Sequence, residues 1–176
     1  MNVTDQLVEE HKHIEKLLGL LQKACSRVKE EEFDDDTFFE RALNFLRDYA
    51  DAWHHGKEER ALLPALEQAG APLEGEGFKQ LLTEHEYGYR LLGMMDGTLK
   101  EGDLYKFADL ASEYIDLLKN HIAKENEVLY PLAERVLDES SKAKVISEFK
   151  SVEGIMNEEE YDFMVEELNR LEDLLL

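Results

Sequence analysis

Of the six histidines in this 176-residue chain, four fall into a pattern written twice. The first copy is His11, then His54 with Glu58 four residues on and Pro64 ten on. The second is His85, then His121 with Glu125 and Pro131 at the same offsets. A histidine and a glutamate four apart share one face of an α-helix, and imidazole with carboxylate makes a donor set for a metal cation. Two copies on what read as four helices imply a site at the centre of a bundle, holding two ions.

Glutamate is so abundant that the four-residue spacing alone identifies nothing. His11, His54, His55 and His121 all have a glutamate four residues later. The apolar stripes separate them. His11, His54, His85 and His121 each fall on the apolar face of their own helix, as do Glu58 and Glu125. His13 and His55 fall off it, flanked at helical spacing by Glu9 and by Asp51 and Glu59 respectively. Four imidazoles and two carboxylates in a core are destabilising unless something pairs them, and a cation would do so. If both glutamates bridge and two histidines cap each ion, every ion has four protein ligands. A bridging oxo, hydroxo or water makes five and leaves one open position. That donor set, free of thiolate, suits iron, and zinc or manganese as well. Adjacent open positions favour redox-active iron that takes a small diatomic or peroxide. A closed structural zinc would be mononuclear and four-coordinate.

The elements that must position these residues are helices throughout. Leu, Glu and Lys are abundant, and the prolines number only 3. Helix one is expected from about Thr4 to Val28, with Leu7, His11, Ile14, Leu18, Leu21, Cys25 and Val28 on one face. Helix two starts near Thr37 and carries Leu43, Leu46, Ala50, His54, Glu58, Ala61 and Ala65. Gln68–Gly77 reads as a loop. Helix three carries Leu81, His85, Tyr89, Leu92 and Leu99 and stops near Gly102. Helix four begins near Asp103 and aligns Leu110, Tyr114, Leu118, His121, Glu125, Val128 and Leu132. Pro64 and Pro131 should kink or end their helices. Met94 and Met95 read as core, and Lys57 and Lys124 as solvated partners of nearby acids. Beyond Leu137, Ser140–Glu153 and Asn157–Leu176 read as two amphipathic helices without histidine, the second opening on a capping box of Asn157 and Glu160. They are expected outside the bundle or at an oligomer contact.

The first four helices are also an internal repeat. LVEEHKHIEKLLGLL (7–21) aligns with LLTEHEYGYRLLGMM (81–95), and HHGKEERALLP (54–64) with HIAKENEVLYP (121–131). An all-α, up-down-up-down four-helix bundle with an approximate two-fold axis follows, spanning 1–137, with a helical extension over 138–176.

The formal charge of −21 argues against nucleic acid or an anionic membrane surface as partner. Cys25 is the only cysteine, which excludes an intramolecular disulfide and a thiolate-based metal cluster. It stands about four turns from His11, too far to join the site. No apolar run suits a bilayer, and the polar opening Met1–Glu10 lacks a signal-peptide core, so a cytoplasmic location is expected.

At these residues the chain resembles the hemerythrin-like family, the HHE cation-binding domain. HHGKEERALLP and HIAKENEVLYP are similar to its signature segments, and EEHKHIEKLL and TEHEYGYRLL to its histidine-bearing helices. The resemblance covers roughly residues 4–137 and implies a non-haem di-iron centre ligated by His11, His54, Glu58, His85, His121 and Glu125. Oxygen-carrying hemerythrins have a fifth histidine one turn further along helix three and an aspartate on helix four. Here those positions hold Tyr89 and Glu125, which resembles the four-histidine, two-glutamate branch. That branch is associated with oxygen and nitric oxide responses, peroxide chemistry, iron-centre repair and iron sensing, with a redox or protein partner still to be named. Tyr89 either meets a bound oxygen species or packs with its hydroxyl on a nearby carboxylate. A metal-stabilised interaction module without redox chemistry is the alternative from another class.

Overall fold

The computed structural model describes residues 2–71, 77–154 and 158–175. Every regular element among them is helical. Six rods run in order: α1 (Asp5–Lys29), α2 (36–68), α3 (Gly77–Lys100), α4 (104–136), α5 (Glu139–Glu153) and α6 (Glu158–Leu174). Their starts are written locally. The Asp35 side chain accepts from the Phe38 amide, Asp103 from Lys106 and Asp138 from Ser141, each satisfying a first-turn donor. α1 uses a tertiary substitute: the Thr4 amide and hydroxyl both donate to Glu134 Oε1 at 2.9 Å, tying the start of α1 to the end of α4. Gly102, at φ +74°, turns the chain from α3 into α4 in a conformation that costs glycine nothing. The capping box expected at Asn157 lies partly outside the described residues.

Two of the rods are not α-helical throughout. α2 is π-helical over Leu46–His55 and Glu58–Leu62, and α4 over Glu125–Leu129. In the last two segments the Leu63 amide donates to the Glu58 carbonyl and the Tyr130 amide to the Glu125 carbonyl, five residues back in place of four. Each widened turn ends directly before Pro64 or Pro131. It opens the ladder where the proline ring would otherwise strike the carbonyl four residues behind. Both rods therefore run past their prolines, to Gln68 and Val136, where the sequence suggested a kink or an end.

The widened turns also move residues between faces. Val128, expected on the buried stripe of α4, is 56% exposed, while Leu129 is buried. Spacing counted at 3.6 residues per turn overshoots once a turn contains an extra residue. Met94 also faces out, and only Met95 of that pair lies in the core.

The apolar interior divides in two. One cluster holds Ile14, Leu18, Ala50, Leu92, Leu118 and Ile122; the other holds Leu7, Ala61, Leu66, Leu81 and Leu129. Between them lies a layer of buried polar groups that includes His11, His54, Glu58, His85, His121 and Glu125. α1 crosses the layer from the second cluster to the first, α2 returns, and α3 and α4 repeat the circuit. This is the up-down-up-down bundle of the sequence repeat. The C-terminal pair covers one side. α6 lies on α1 and α2, giving Leu168, Leu171 and Leu175 to the larger cluster, and α5 lies on the Glu58–Leu62 turn, giving Val145 and Phe149 to the smaller. No helix among the described residues is long and apolar enough to cross a membrane.

Candidate metal centre

The six residues singled out by the repeat meet in the polar layer, and none is more than 2% exposed. With His55 added, their donor atoms fall into two groups, one from His11, His54 and Glu125, the other from His55, Glu58, His85 and His121, each within 4.8 Å mutually. Glu125 spans both groups, with Oε1 2.9 Å from His121 Nε2 and Oε2 3.2 Å from His11 Nε2. Glu58 does the same with one oxygen: Oε2 lies 3.8 Å from His54 Nε2 and 3.6 Å from His85 Nε2. The Nε2 atoms of His85 and His121 are 2.9 Å apart, about the separation two nitrogens take on one ion at bond lengths near 2.1 Å.

Buried donors without partners test whether a cation fits. Among the described residues His54 Nε2 and Glu58 Oε2 have no hydrogen-bond partner, and Glu125 Oε2 has only the 3.2 Å approach of His11 Nε2. The other nitrogen of His54 is held by Glu10 and the other oxygen of Glu58 by Tyr130, while the other oxygen of Glu125 faces His121 within the layer. Buried polar atoms are almost always satisfied, so inward-facing orphans on imidazole and carboxylate fit a metal ion.

The outer contacts obey the same repeat. His54 Nδ1 is 2.9 Å from Glu10 Oε2, and His121 Nδ1 is 2.7 Å from Glu84 Oε2. His11 Nδ1 meets Asn126 Oδ1 at 2.8 Å, and His85 Nδ1 meets Glu59 Oε1 at 2.7 Å. Glu10 and Glu84 are equivalent repeat positions, as are Glu59 and Asn126. An oxygen acceptor at every Nδ1 fixes the tautomer and points every Nε2 inward, the arrangement that orients ligating imidazoles. Tyr89 is now placed: its hydroxyl donates to Glu59 Oε1 at 2.9 Å, the second of the two readings its position allowed. Tyr130, which the stripe analysis passed over, donates to Glu58 Oε1 at 2.7 Å.

Two residues read as solvated are buried. His55 is 3% exposed and stacks on His85 with ring centroids 3.9 Å apart and planes 18° apart. On an α-helix adjacent residues diverge by about 100°; the π-helical run Leu46–His55 turns both His54 and His55 inward. Stacked, near-parallel rings cannot both aim an in-plane lone pair at one ion, so His55 does not share an ion with His85 in this arrangement. Lys57 is wholly buried, its ammonium bonded to Glu10 and 4.4 Å from the Trp53 ring centre. Its repeat partner Lys124 stays partly exposed on Glu84.

Burial, then the charge of Glu125, drives the Glu58 carboxyl well above its usual range. Burial opposes ionisation of Glu125 too, but the His121 charge and the His11 and His121 imidazoles hold it well below. His54 is pushed down to about 4 by burial and is neutral at pH 7. His121, against the pull of burial, is raised to about 10 by Glu125 and Glu84. Ligation requires neutral imidazole and ionised carboxylate. Metal uptake at pH 7 should therefore release a proton from His121, and, with the Glu58 carboxyl raised, affinity should fall as pH is lowered. Titration calorimetry in buffers of different ionisation enthalpy checks this; the same heat in every buffer would contradict it.

The Trp53 indole N–H donates to Glu10 Oε1 at 3.1 Å, one carboxylate away from His54. Addition of a paramagnetic divalent ion should quench the emission of this sole tryptophan, saturating at the binding stoichiometry. An unchanged spectrum at full occupancy would count against an ion at His54.

Comparison with curated proteins and with solved structures gives no match. Residues 2–133 match the family model described as hemerythrin HHE cation binding domain. That span holds the repeat, the polar layer and every inward-facing donor described above. By its sequence and by the metal-binding geometry of its bundle, the chain belongs to the hemerythrin family of HHE cation-binding domains.

Proposed function

We propose that this is a non-haem di-iron protein that binds or processes a small oxidant, namely oxygen, nitric oxide or peroxide, or reports iron or redox state. The observation that supports it most is the division of labour at the two glutamates. Glu125 offers one oxygen to each histidine pair, and Glu58 points an unpartnered oxygen between them. This supports a reading in which the two glutamates would bridge two ions, with His11 and His54 capping one and His85 and His121 the other. Iron so held would supply electrons and Lewis acidity to a bound oxidant.

The surrounding residues have definable work. Tyr130 holds Glu58 through Oε1 and thereby turns Oε2 inward. Glu10, Glu84, Glu59 and Asn126 lock the four imidazoles. The apolar clusters on either side, with Leu7, Leu62 and Leu129 at one face and Leu118 and Ile122 at the other, exclude bulk water from the layer. A cytoplasmic location and an unidentified redox partner belong to this reading. The test is elemental analysis of aerobically purified protein from iron-replete cells, followed by absorption spectra with peroxide, azide and nitric oxide. Two irons per chain and a spectral response are expected. One zinc, or iron that no small molecule perturbs, would move the protein to the metal-stabilised interaction module.

A further inference from the structure

The two halves of the layer are alike inside and unlike outside. Around His121 the outer acid Glu84 is bonded to Lys124, whose side chain is 42% exposed. Around His54 the equivalent Glu10 is bonded to Lys57, which is 0% exposed because the C-terminal extension lies over it. Glu153, the last residue of α5, places Oε1 3.0 Å from Lys57 Nζ and also accepts from the Gln6 amide on α1. Phe149 of the same helix stands 5.9 Å from the ammonium. An unbroken polar line therefore runs from the extension through Glu153, Lys57 and Glu10 to His54, whose far nitrogen faces the centre. On the other half the line ends in solvent.

We infer that Glu153 is a positioning residue for the metal ligand His54, acting through Lys57 and Glu10, so that seating of the C-terminal extension and occupancy of the His11–His54 position strengthen each other. The inference deepens the metal-centre reading and rests on it only as far as a divalent ion at His54. A cation on Nε2 makes the imidazole a stronger donor at Nδ1 and draws Glu10 toward it. Glu10 has two oxygens, and Lys57 shares the carboxylate with His54 and with Trp53. Fixing that carboxylate fixes the buried ammonium, and Glu153 is the charge on the extension that the ammonium attracts. Removing a partner of a buried ion is costly because it leaves the other uncompensated. Coupling between two binding events is reciprocal: whatever lifts α5 and α6 away must loosen the ion at His54, and losing that ion must loosen α5 and α6. The ion held by His85 and His121 has no such polar line to the extension and should respond to it far less.

The full chain loaded with cobalt(II) tests this. Chelator-driven release is followed by the visible cobalt absorption, and hydrogen exchange of 139–154 and 158–175 is compared with and without cobalt. Wild type should release its ions in two phases, and cobalt should slow exchange in both segments. Glu153→Gln, which keeps the shape and removes the charge, should speed one of the two phases about tenfold, the usual scale for an outer partner of a ligating histidine. It should leave the other phase nearly unchanged and abolish the cobalt effect on exchange. Glu153→Asp should restore part of both. Lys57→Met, which can pack against Trp53 and Phe149, should reproduce the Gln variant. Exchange in α5 and α6 indifferent to cobalt, or release kinetics unmoved in both Glu153→Gln and Lys57→Met, would overturn the inference, as would equal acceleration of both phases. Coupling intact in a centre that binds zinc or cobalt but ignores peroxide and nitric oxide would sink the oxidant reading and leave this one standing.

Discussion

Glu125→Ala should hold at most one ion per chain under conditions that load the wild type with two, and the pair Glu58→Ala/Glu125→Ala should hold none tightly. Glu125 is the residue whose two oxygens face His121 and His11 at 2.9 and 3.2 Å, so its loss removes a donor from both positions at once. His11 and His54 are then left with Glu58 Oε2, which also serves His85. Outer partners of ligating residues cost up to about a hundredfold in affinity, and a shared inner donor should cost at least that. The variant also strips His121 of the carboxylate that raises it to about 10, so less proton release should accompany the uptake that remains. Metal counting after gel filtration, together with the calorimetric proton count, decides the matter. Two ions per chain in the double variant would show that neither glutamate bridges.

Stripping the metal should be the most destabilising treatment short of denaturant. An ion bound only by the folded chain contributes roughly 4 kcal/mol at a thousandfold excess over its dissociation constant. Two such ions, at about 2–4 °C per kcal/mol for a chain of this size, put the expected loss in melting temperature at roughly 15–30 °C. The apolar clusters are continuous on either side of the layer and the helices remain well capped, so the apo chain should stay helical while losing cooperativity. Calorimetry of matched apo and loaded samples measures this. A difference of only a few degrees would mean that protons alone satisfy the layer and that the ion is incidental to folding.

Much of this was legible in the residues. The four helices, the extension and the convergence of His11, His54, Glu58, His85, His121 and Glu125 follow from spacing because a repeat imposes the same constraint twice. Part of what escaped has one physical origin. Projection at 3.6 residues per turn assumes an unbroken α-helix, and α2 and α4 break it with π-helical turns at the site. The projection therefore left His55 off the buried stripe and put Val128 on it. The repeat held a signal that could have recovered part of the difference. Glu10 aligns with Glu84 and Lys57 with Lys124, and matched charges beside matched ligands mark an outer layer of contacts. The asymmetry between the halves had no such signal, because it arises where α5 covers Lys57, a contact between residues 96 positions apart.

The polar layer lying between two apolar clusters has a consequence for how the helices find one another. Leucine-rich stripes are nearly self-similar, and one such helix can slide past its neighbours by a turn at small cost. A slide here would drive a carboxylate or an imidazole into hydrocarbon and would part His11 from Asn126 and His54 from Glu10. Each helix carries its buried imidazoles and carboxylates at one height only, so a single vertical alignment satisfies all four. The layer is a ruler as well as a binding site, and the chain can take up its ion only when the helices are in register.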